Sequence, residues 1–297
     1  MSTEPHNKKL LLLCVIVLAI VAYFFYQENV KINERVRLEE IRLQARVDAL
    51  SAVDVLAKSF SVYSLTNNEK IYGKDDELIL PIASITKIMT AIVALHAYPP
   101  ETVITMSPEA IKQVGDFNLS IGQKWKIADL AKLTLISSAN DGAYAMWENF
   151  PNGKDKYIEE MNARARRLGM KNTSFENITG LDVAGRATSF STASDVNLMS
   201  AYAFLAYRDV FEVATMPEIT LTSESGTTHT FKNTNTITDK IPNLLFSKTG
   251  YTDIAQGNLT IIFKNQREEL LAVTLLGSTY EGRFPDMEKI VNVLYGL

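Results

Sequence analysis

The sequence predicts an α+β fold, in which a sheet assembled from both ends of a globular region carries a helical insertion packed on it. Strand-like segments lie near the start of that region (57–64) and again beyond Pro242, while the segments between them have helical period. The composition fits: 297 residues, 46% hydrophobic and 22% charged, are enough to bury a substantial core.

The chain opens differently. Residues 10–26 are an unbroken run of 17 apolar and aromatic residues, which as a helix spans about 26 Å, close to a hydrocarbon core. Tyr23, Phe24, Phe25 and Tyr26 stand where an interfacial aromatic belt would, and Lys8 and Lys9 before the run favour a cytoplasmic N-terminus. The expectation is an uncleaved anchor comprising a cytoplasmic tip and membrane segment over 1–26. A cleaved signal peptide is the rival, although Val17-Leu18-Ala19 is a poor cleavage site. Cys14 follows two leucines and reads as apolar filler rather than a lipidation site.

Residues 27–50 contain ten charges, five of each sign, with apolar residues at helical spacing over about two heptads. They read as a charged stalk, solvated or amphipathic, that lifts the rest off the membrane. A globular domain is expected over 51–297. Residues 57–64 alternate like a strand, 65–70 supply turn residues, and Ile71-Tyr72 begins a partner strand. Helical spacing follows at 85–96, 127–136 and 157–168, and Ser191 to Asp195 resembles an N-cap ahead of a helix reaching Tyr207. Residues 259–263 and 270–276 read as strands joined by a turn at 265–268, and a last helix is expected over 284–295.

Composition also excludes functions. A net charge of −4 without a basic run argues against nucleic acid as a partner. Cys14 is the only cysteine, so no intramolecular disulfide or thiol relay is available. His6, His96 and His229 are scattered, no phosphate or dinucleotide fingerprint is present, and neither metal nor cofactor is expected. His96, Trp125 and Trp147 read as packing residues.

Three short motifs carry chemistry, and each is weak alone. Ser84 and Lys87 are three apart at the start of an apolar helix, which puts hydroxyl and amine on one face. A lysine depressed by burial can take the serine proton as a histidine would. Ser138 and Asn140 stand at the end of the 127–136 helix, where a turn offers a proton relay and an amide, or merely a C-terminal cap. Lys248, Thr249 and Gly250, followed by Tyr251, stand beside an expected strand start, where a cation and a hydroxyl suit a carboxylate and glycine admits another backbone. Each motif occurs once, and Ser84, Ser138 and Lys248 are 54 and then 110 residues apart.

Together Ser-x-x-Lys, Ser-x-Asn and Lys-Thr-Gly resemble the motif set of the penicillin-recognising serine acyltransferases. The segments PIASITKIMTA (81–91), SSAND (137–141), MNARARRLGM (161–170), NITGLD (177–182) and KTGYTD (248–253) are closely similar to those of the D-alanyl-D-alanine carboxypeptidases, the low-molecular-mass penicillin-binding proteins. The resemblance runs from about residue 51 to 297. It implies a bacterial, β-lactamase/DD-peptidase-like fold, with a five-stranded antiparallel sheet flanked by helices and a helical subdomain. It also implies an enzyme outside the membrane that removes the terminal D-Ala from peptidoglycan stem peptides and is acylated by β-lactam antibiotics.

By that resemblance Ser84 is the nucleophile, Lys87 the general base and Ser138 the proton relay. Asn140 holds the substrate amide, the backbone N–H groups of Ser84 and Tyr251 form the oxyanion hole, and Lys248, Thr249 and Arg283 bind the terminal carboxylate. Arg283 has a plainer reading as a surface charge at the start of the last helix. The family's β-rich C-terminal domain and amphipathic C-terminal anchor are expected to be absent, leaving anchoring to the N-terminal segment. Ile178 replaces a frequent proline, and Glu176 does not form the Glu-x-x-Leu-Asn element of class A β-lactamases. A D,D-endopeptidase acting on D-Ala cross-links, a β-lactamase and an inactive envelope protein remain alternatives on the same scaffold.

Overall fold

The computed structural model describes residues 4–296 apart from 100, 116 and 152, and no side chain of residues 1–10, 14 or 15. His6, Lys8, Lys9 and Cys14 therefore lie outside the described side chains. The chain divides into two units, Met1–Asp48 and Ala49–Leu297. Helix α1 (Glu4–Ser51) is continuous because no glycine or proline occurs between residues 6 and 51. The stretch expected as a stalk is thus helical throughout. The described apolar side chains from Leu11 to Tyr26 are exposed, and this segment is long and apolar enough to cross a membrane. The second unit begins two residues before the expected boundary, because Leu50 is fully buried.

Strands β1 (Ser59–Ser64) and β2 (Glu69–Lys74) form the expected hairpin, and β3 (Leu80–Pro81) leads into helix α2 (Thr86–Ala97). The insertion continues with β4 (Val103–Thr105), α3 (Pro108–Ile111), β5 (Lys124–Lys126), α4 (Ile127–Ser137), α5 (Asn140–Glu148), α6 (Lys154–Arg167), β6 (Ser174–Phe175) and β7 (Ser189–Ser191). Helices α7 (Ala193–Ala206) and α8 (Arg208–Phe211) and the hairpin of β8 (Glu218–Thr222) and β9 (Thr228–Lys232) complete it. The chain then returns to the sheet with β10 (Leu244–Thr252), β11 (Gln256–Lys264) and β12 (Leu270–Ser278), and closes with α9 (Arg283–Tyr295).

The five-stranded sheet is antiparallel in the order β10-β11-β12-β1-β2. Pairing of Val62 with Val273 joins the two ends of the unit, as the sequence pattern requires. Helix α7 packs on β1, β11 and β12, and α9 packs on β11 and β12. Thr192 caps α7 by accepting from the Asp195 amide at 3.0 Å. Helix α2 is buried on every side from Thr86 to Leu95, which makes it the central helix of the core rather than an amphipathic cover.

Several local expectations need correction. Lys248-Thr249-Gly250 does not flank a strand but lies inside the nine-residue β10, whose residues 246–250 are all buried. A strand covered on both faces has no alternation to betray it. His96 is exposed on the last turn of α2 and is not a packing residue. Trp125 is fully buried against His229 and Phe231, whereas half-buried Trp147 donates its indole N–H to the Lys154 carbonyl at 2.9 Å.

Candidate active site

Ser84 lies in a single 3₁₀ turn, Ala83–Ile85, that feeds directly into α2. Ala83 has φ of +46°, a conformation that costs an alanine about 1–2 kcal/mol and persists because its surroundings fix it. Two glycines provide that fixation. A Cβ on Gly180 would stand 1.9 Å from the Ala83 carbonyl oxygen, and one on Gly250 would stand 2.6 Å from that of Ile82. The 177–181 loop and β10 therefore press on the serine turn from two directions, and glycine alone permits both approaches.

As the second residue of α2, the fully buried Lys87 places Nζ 2.7 Å from Ser84 Oγ and donates to the Thr179 carbonyl at 3.0 Å. Asn177 shapes the loop that presents this carbonyl, since its Oδ1 accepts from the amides of Thr179 (3.1 Å) and Gly180 (2.7 Å). Burial lowers the Lys87 ammonium from its usual range to about 7, and nearby Asp141 opposes that fall. At neutral pH an appreciable fraction of Lys87 is the free amine, able to accept the hydroxyl proton.

Ser138 terminates α4 in the left-handed conformation, φ +62°, and lines the same cavity as Ser84. Asn140 opens α5 and sits deeper. Its Nδ2 donates to the Val114 carbonyl at 2.7 Å, while its buried Oδ1 has no hydrogen-bond partner among the described residues. It does not line the cavity.

The opposite wall is β10, the edge strand of the sheet, where alternate backbone groups have no strand partner. Lys248 is buried and donates to the Thr249 carbonyl at 2.9 Å. Burial, then the neighbouring Lys87 and Arg283 charges, push its ammonium well below the ordinary lysine range. The hydroxyls of Thr249 and Thr234 are 2.6 Å apart. Tyr251 is partly exposed and meets Tyr280 edge to face at 4.9 Å.

Arg283 is not a surface charge. Only 3% exposed, it donates Nη1 to the Gly250 carbonyl at 3.3 Å, has no partner for Nε among the described residues, and lies between the Tyr280 and Phe284 rings at 4.5 and 4.7 Å. Burial depresses its basicity.

Ser84, Ser138, Thr249, Gly250, Tyr251 and Arg283 thus line one cavity of about 360 Å3, with Lys87 beneath the serine and the buried Lys248 close enough to Lys87 and Arg283 to feel both charges. Sequence reasoning missed Thr179, whose contribution is a backbone carbonyl, and the cavity residues Asn233, Thr234, Thr236 and Tyr280. The NITGLD segment held a signal for Thr179, because its asparagine and glycine define the turn. Among the described residues no carboxylate lines the cavity, and Glu176 is paired with Arg186 at 2.7 Å.

A serine in contact with a depressed lysine, on a helix facing the edge of a five-stranded sheet, defines a serine-type hydrolase of the penicillin-binding class. The family model described as D-alanyl-D-alanine carboxypeptidase matches residues 46–279, and the chain belongs to that peptidase family. A D-alanyl-D-alanine endopeptidase of Pseudomonas aeruginosa is 34% identical over 206 residues, covering 67% of this chain and 65% of that protein. The endopeptidase of Escherichia coli is 33% identical, with coverage of 71% and 68%. A Bacillus subtilis D-alanyl-D-alanine carboxypeptidase is 29% identical, covering 80% of this chain and 62% of its own length. The chain therefore spans about two thirds of the length of these relatives. Among solved structures, a Listeria monocytogenes penicillin-binding protein in its ampicillin-bound form has a TM-score of 0.70 and 28% identity over 81% of this chain and 98% of that one. A D-alanyl-D-alanine carboxypeptidase of Mycobacterium tuberculosis, at 22% identity and a TM-score of 0.74, shares the fold.

Proposed function

We propose that the chain is a membrane-anchored serine D,D-peptidase that removes the terminal D-Ala of peptidoglycan stem peptides outside the membrane. The observation that carries this reading is the 2.7 Å contact between Ser84 Oγ and a lysine amine depressed to about 7. Ser84 Oγ attacks the carbonyl between the two D-Ala residues while Lys87 takes its proton. The backbone N–H groups of Ser84 and Tyr251 receive the oxyanion, a contribution worth about 3–4 kcal/mol per donor. The C–N bond then breaks, Ser138 passes the proton to the departing amine, and water hydrolyses the ester on Ser84. Thr249 and Arg283 bind the terminal carboxylate, whose charge also draws a proton onto the buried Lys248. Asn140 orients the substrate amide once its contact with Val114 is exchanged. The apolar part of α1 supports anchoring, with the Ala49–Leu297 unit as the catalytic domain.

Two relatives above 30% identity are named endopeptidases, and that favours a second reading in which D-Ala cross-links are also cut. Purified protein incubated with diacetyl-Lys-D-Ala-D-Ala and, separately, with benzylpenicillin tests the main reading. Steady D-Ala release and a one-to-one penicilloyl adduct persisting for minutes are expected, because among the described residues no glutamate lines the cavity to activate the deacylating water. Rapid penicillin turnover without an adduct and without D-Ala release would make the protein a β-lactamase.

A further inference from the structure

Two hydroxyls in the cavity at Ser84 share one proton. Thr249, buried in β10, and half-buried Thr234, on the segment between β9 and β10, both line the cavity, and their Oγ1 atoms are 2.6 Å apart. A contact that short between hydroxyls holds a single proton, given by one of them, and leaves the proton of the other to point elsewhere. By position alone either oxygen can be the donor. The backbone that carries Thr234 is fixed from several directions. Its own N–H donates at 3.0 Å to the Ile136 carbonyl, near the end of α4 and two residues before Ser138. Beside it, Asn233 donates Nδ2 to the Ala214 and Met216 carbonyls at 2.9 and 2.8 Å, and its Oδ1 accepts from the Asn235 amide at 2.8 Å. The Asn233 N–H donates to the Pro217 carbonyl at 2.7 Å. A short side chain on so constrained a backbone loses little further freedom in making one directed hydrogen bond.

When Thr249 gives its proton to the terminal carboxylate of the substrate, the 2.6 Å contact survives only if the proton within it belongs to Thr234. We propose that Thr234 is a positioning residue for carboxylate recognition: its O–H donates to Thr249 Oγ1 and so directs the Thr249 proton into the cavity, toward the anion. Thr234, Thr249 and the carboxylate then form a chain of donors running in one direction, in which each hydrogen bond polarises the next. Without the Thr234 hydroxyl, the Thr249 rotor is free to turn away and the anion is held less well. The loss falls on binding of substrates with a carboxylate, in ground state and transition state alike, so it is read in KM rather than kcat. This inference rests on the carboxylate site of the proposed function and adds the residue that sets its hydroxyl.

The test measures kcat and KM on diacetyl-Lys-D-Ala-D-Ala and on a carboxylate-free ester, for wild-type protein, Thr234→Val, Thr234→Ala, Thr234→Ser, Thr249→Val and the Thr234→Val/Thr249→Val double variant. Thr234→Val and Thr234→Ala should each raise KM for the peptide about five-fold, with kcat and all ester kinetics within about two-fold of wild type. Thr234→Ser keeps the hydroxyl and should match wild type within about two-fold on both substrates. The double variant should bind the peptide no more weakly than Thr249→Val alone, because Thr234 acts through Thr249. An unchanged peptide KM, a parallel loss on both substrates, or a loss in Thr234→Val that Thr234→Ala does not share overturns the proposal. So does a double variant whose loss is the product of the single losses, which would mean that Thr234 meets the anion itself. Wild-type protein that treats peptide and ester alike overturns the carboxylate site beneath the proposal, and protein that neither releases D-Ala nor takes up penicillin overturns the acyl-enzyme reading.

Discussion

The two walls of the cavity treat a buried lysine differently. On the helical wall, Lys87 touches the serine hydroxyl and a backbone carbonyl, and its partly unprotonated amine faces the one oxygen from which a proton must be drawn. On the strand wall, Lys248 is equally buried but donates to the Thr249 carbonyl, with the charges of Lys87 and Arg283 beside it. The same side chain sits against a hydroxyl on one side and among cations on the other. In the proposed mechanism bond-making falls to the helical wall and anion recognition to the strand wall.

The largest effect expected from breaking this division is at the nucleophile. Ser84→Ala should abolish covalent labelling by a fluorescent penicillin while Tm stays nearly constant, because the hydroxyl serves chemistry and not packing; persistent labelling would refute the assignment. Removing the base comes next. Lys87→Ala should slow acylation about 10³-fold or more, as loss of one member of a coupled unit does, and stopped-flow acylation measures this. Arg283→Gln should act on the other wall only, raising KM for a peptide with a free terminal carboxylate by about 10–100-fold and leaving a carboxylate-free ester little changed. Equal losses on both substrates would place Arg283 with the bond-making groups.

The sequence made the helical wall easier to read than the strand wall. Ser84 and Lys87 are three residues apart where a 3₁₀ turn runs into α2, so spacing alone brings hydroxyl and amine together. Thr179 lies 92 residues from Lys87 and contributes only a carbonyl, which every residue type owns. On the strand wall, the Lys248 motif was visible but its strand was not, since β10 is covered on both faces and contains a lysine where a buried strand would usually be apolar. The three-residue strands β4 and β5 were too short to show a period, and α5, with Asn140, Asp141 and Gly142 at its start, looked like a turn. For Arg283 the sequence left a surface charge open beside the carboxylate role, because the two rings and the carbonyl that bury it come from tertiary packing.

In the proposed mechanism burial makes Lys87 the base for Ser84, and the decisive measurement is the pH dependence of acylation. Lys87 is lowered to about 7, so it is protonated and unable to accept a proton below that pH, and neutral and competent above it. Intact-mass kinetics of benzylpenicillin acylation, with the adduct mapped by proteolysis, should show one adduct on Ser84. The rate should rise with pH and reach half its plateau near 7. An adduct on another residue, or a rate unchanged between about pH 5 and 9, would contradict the account.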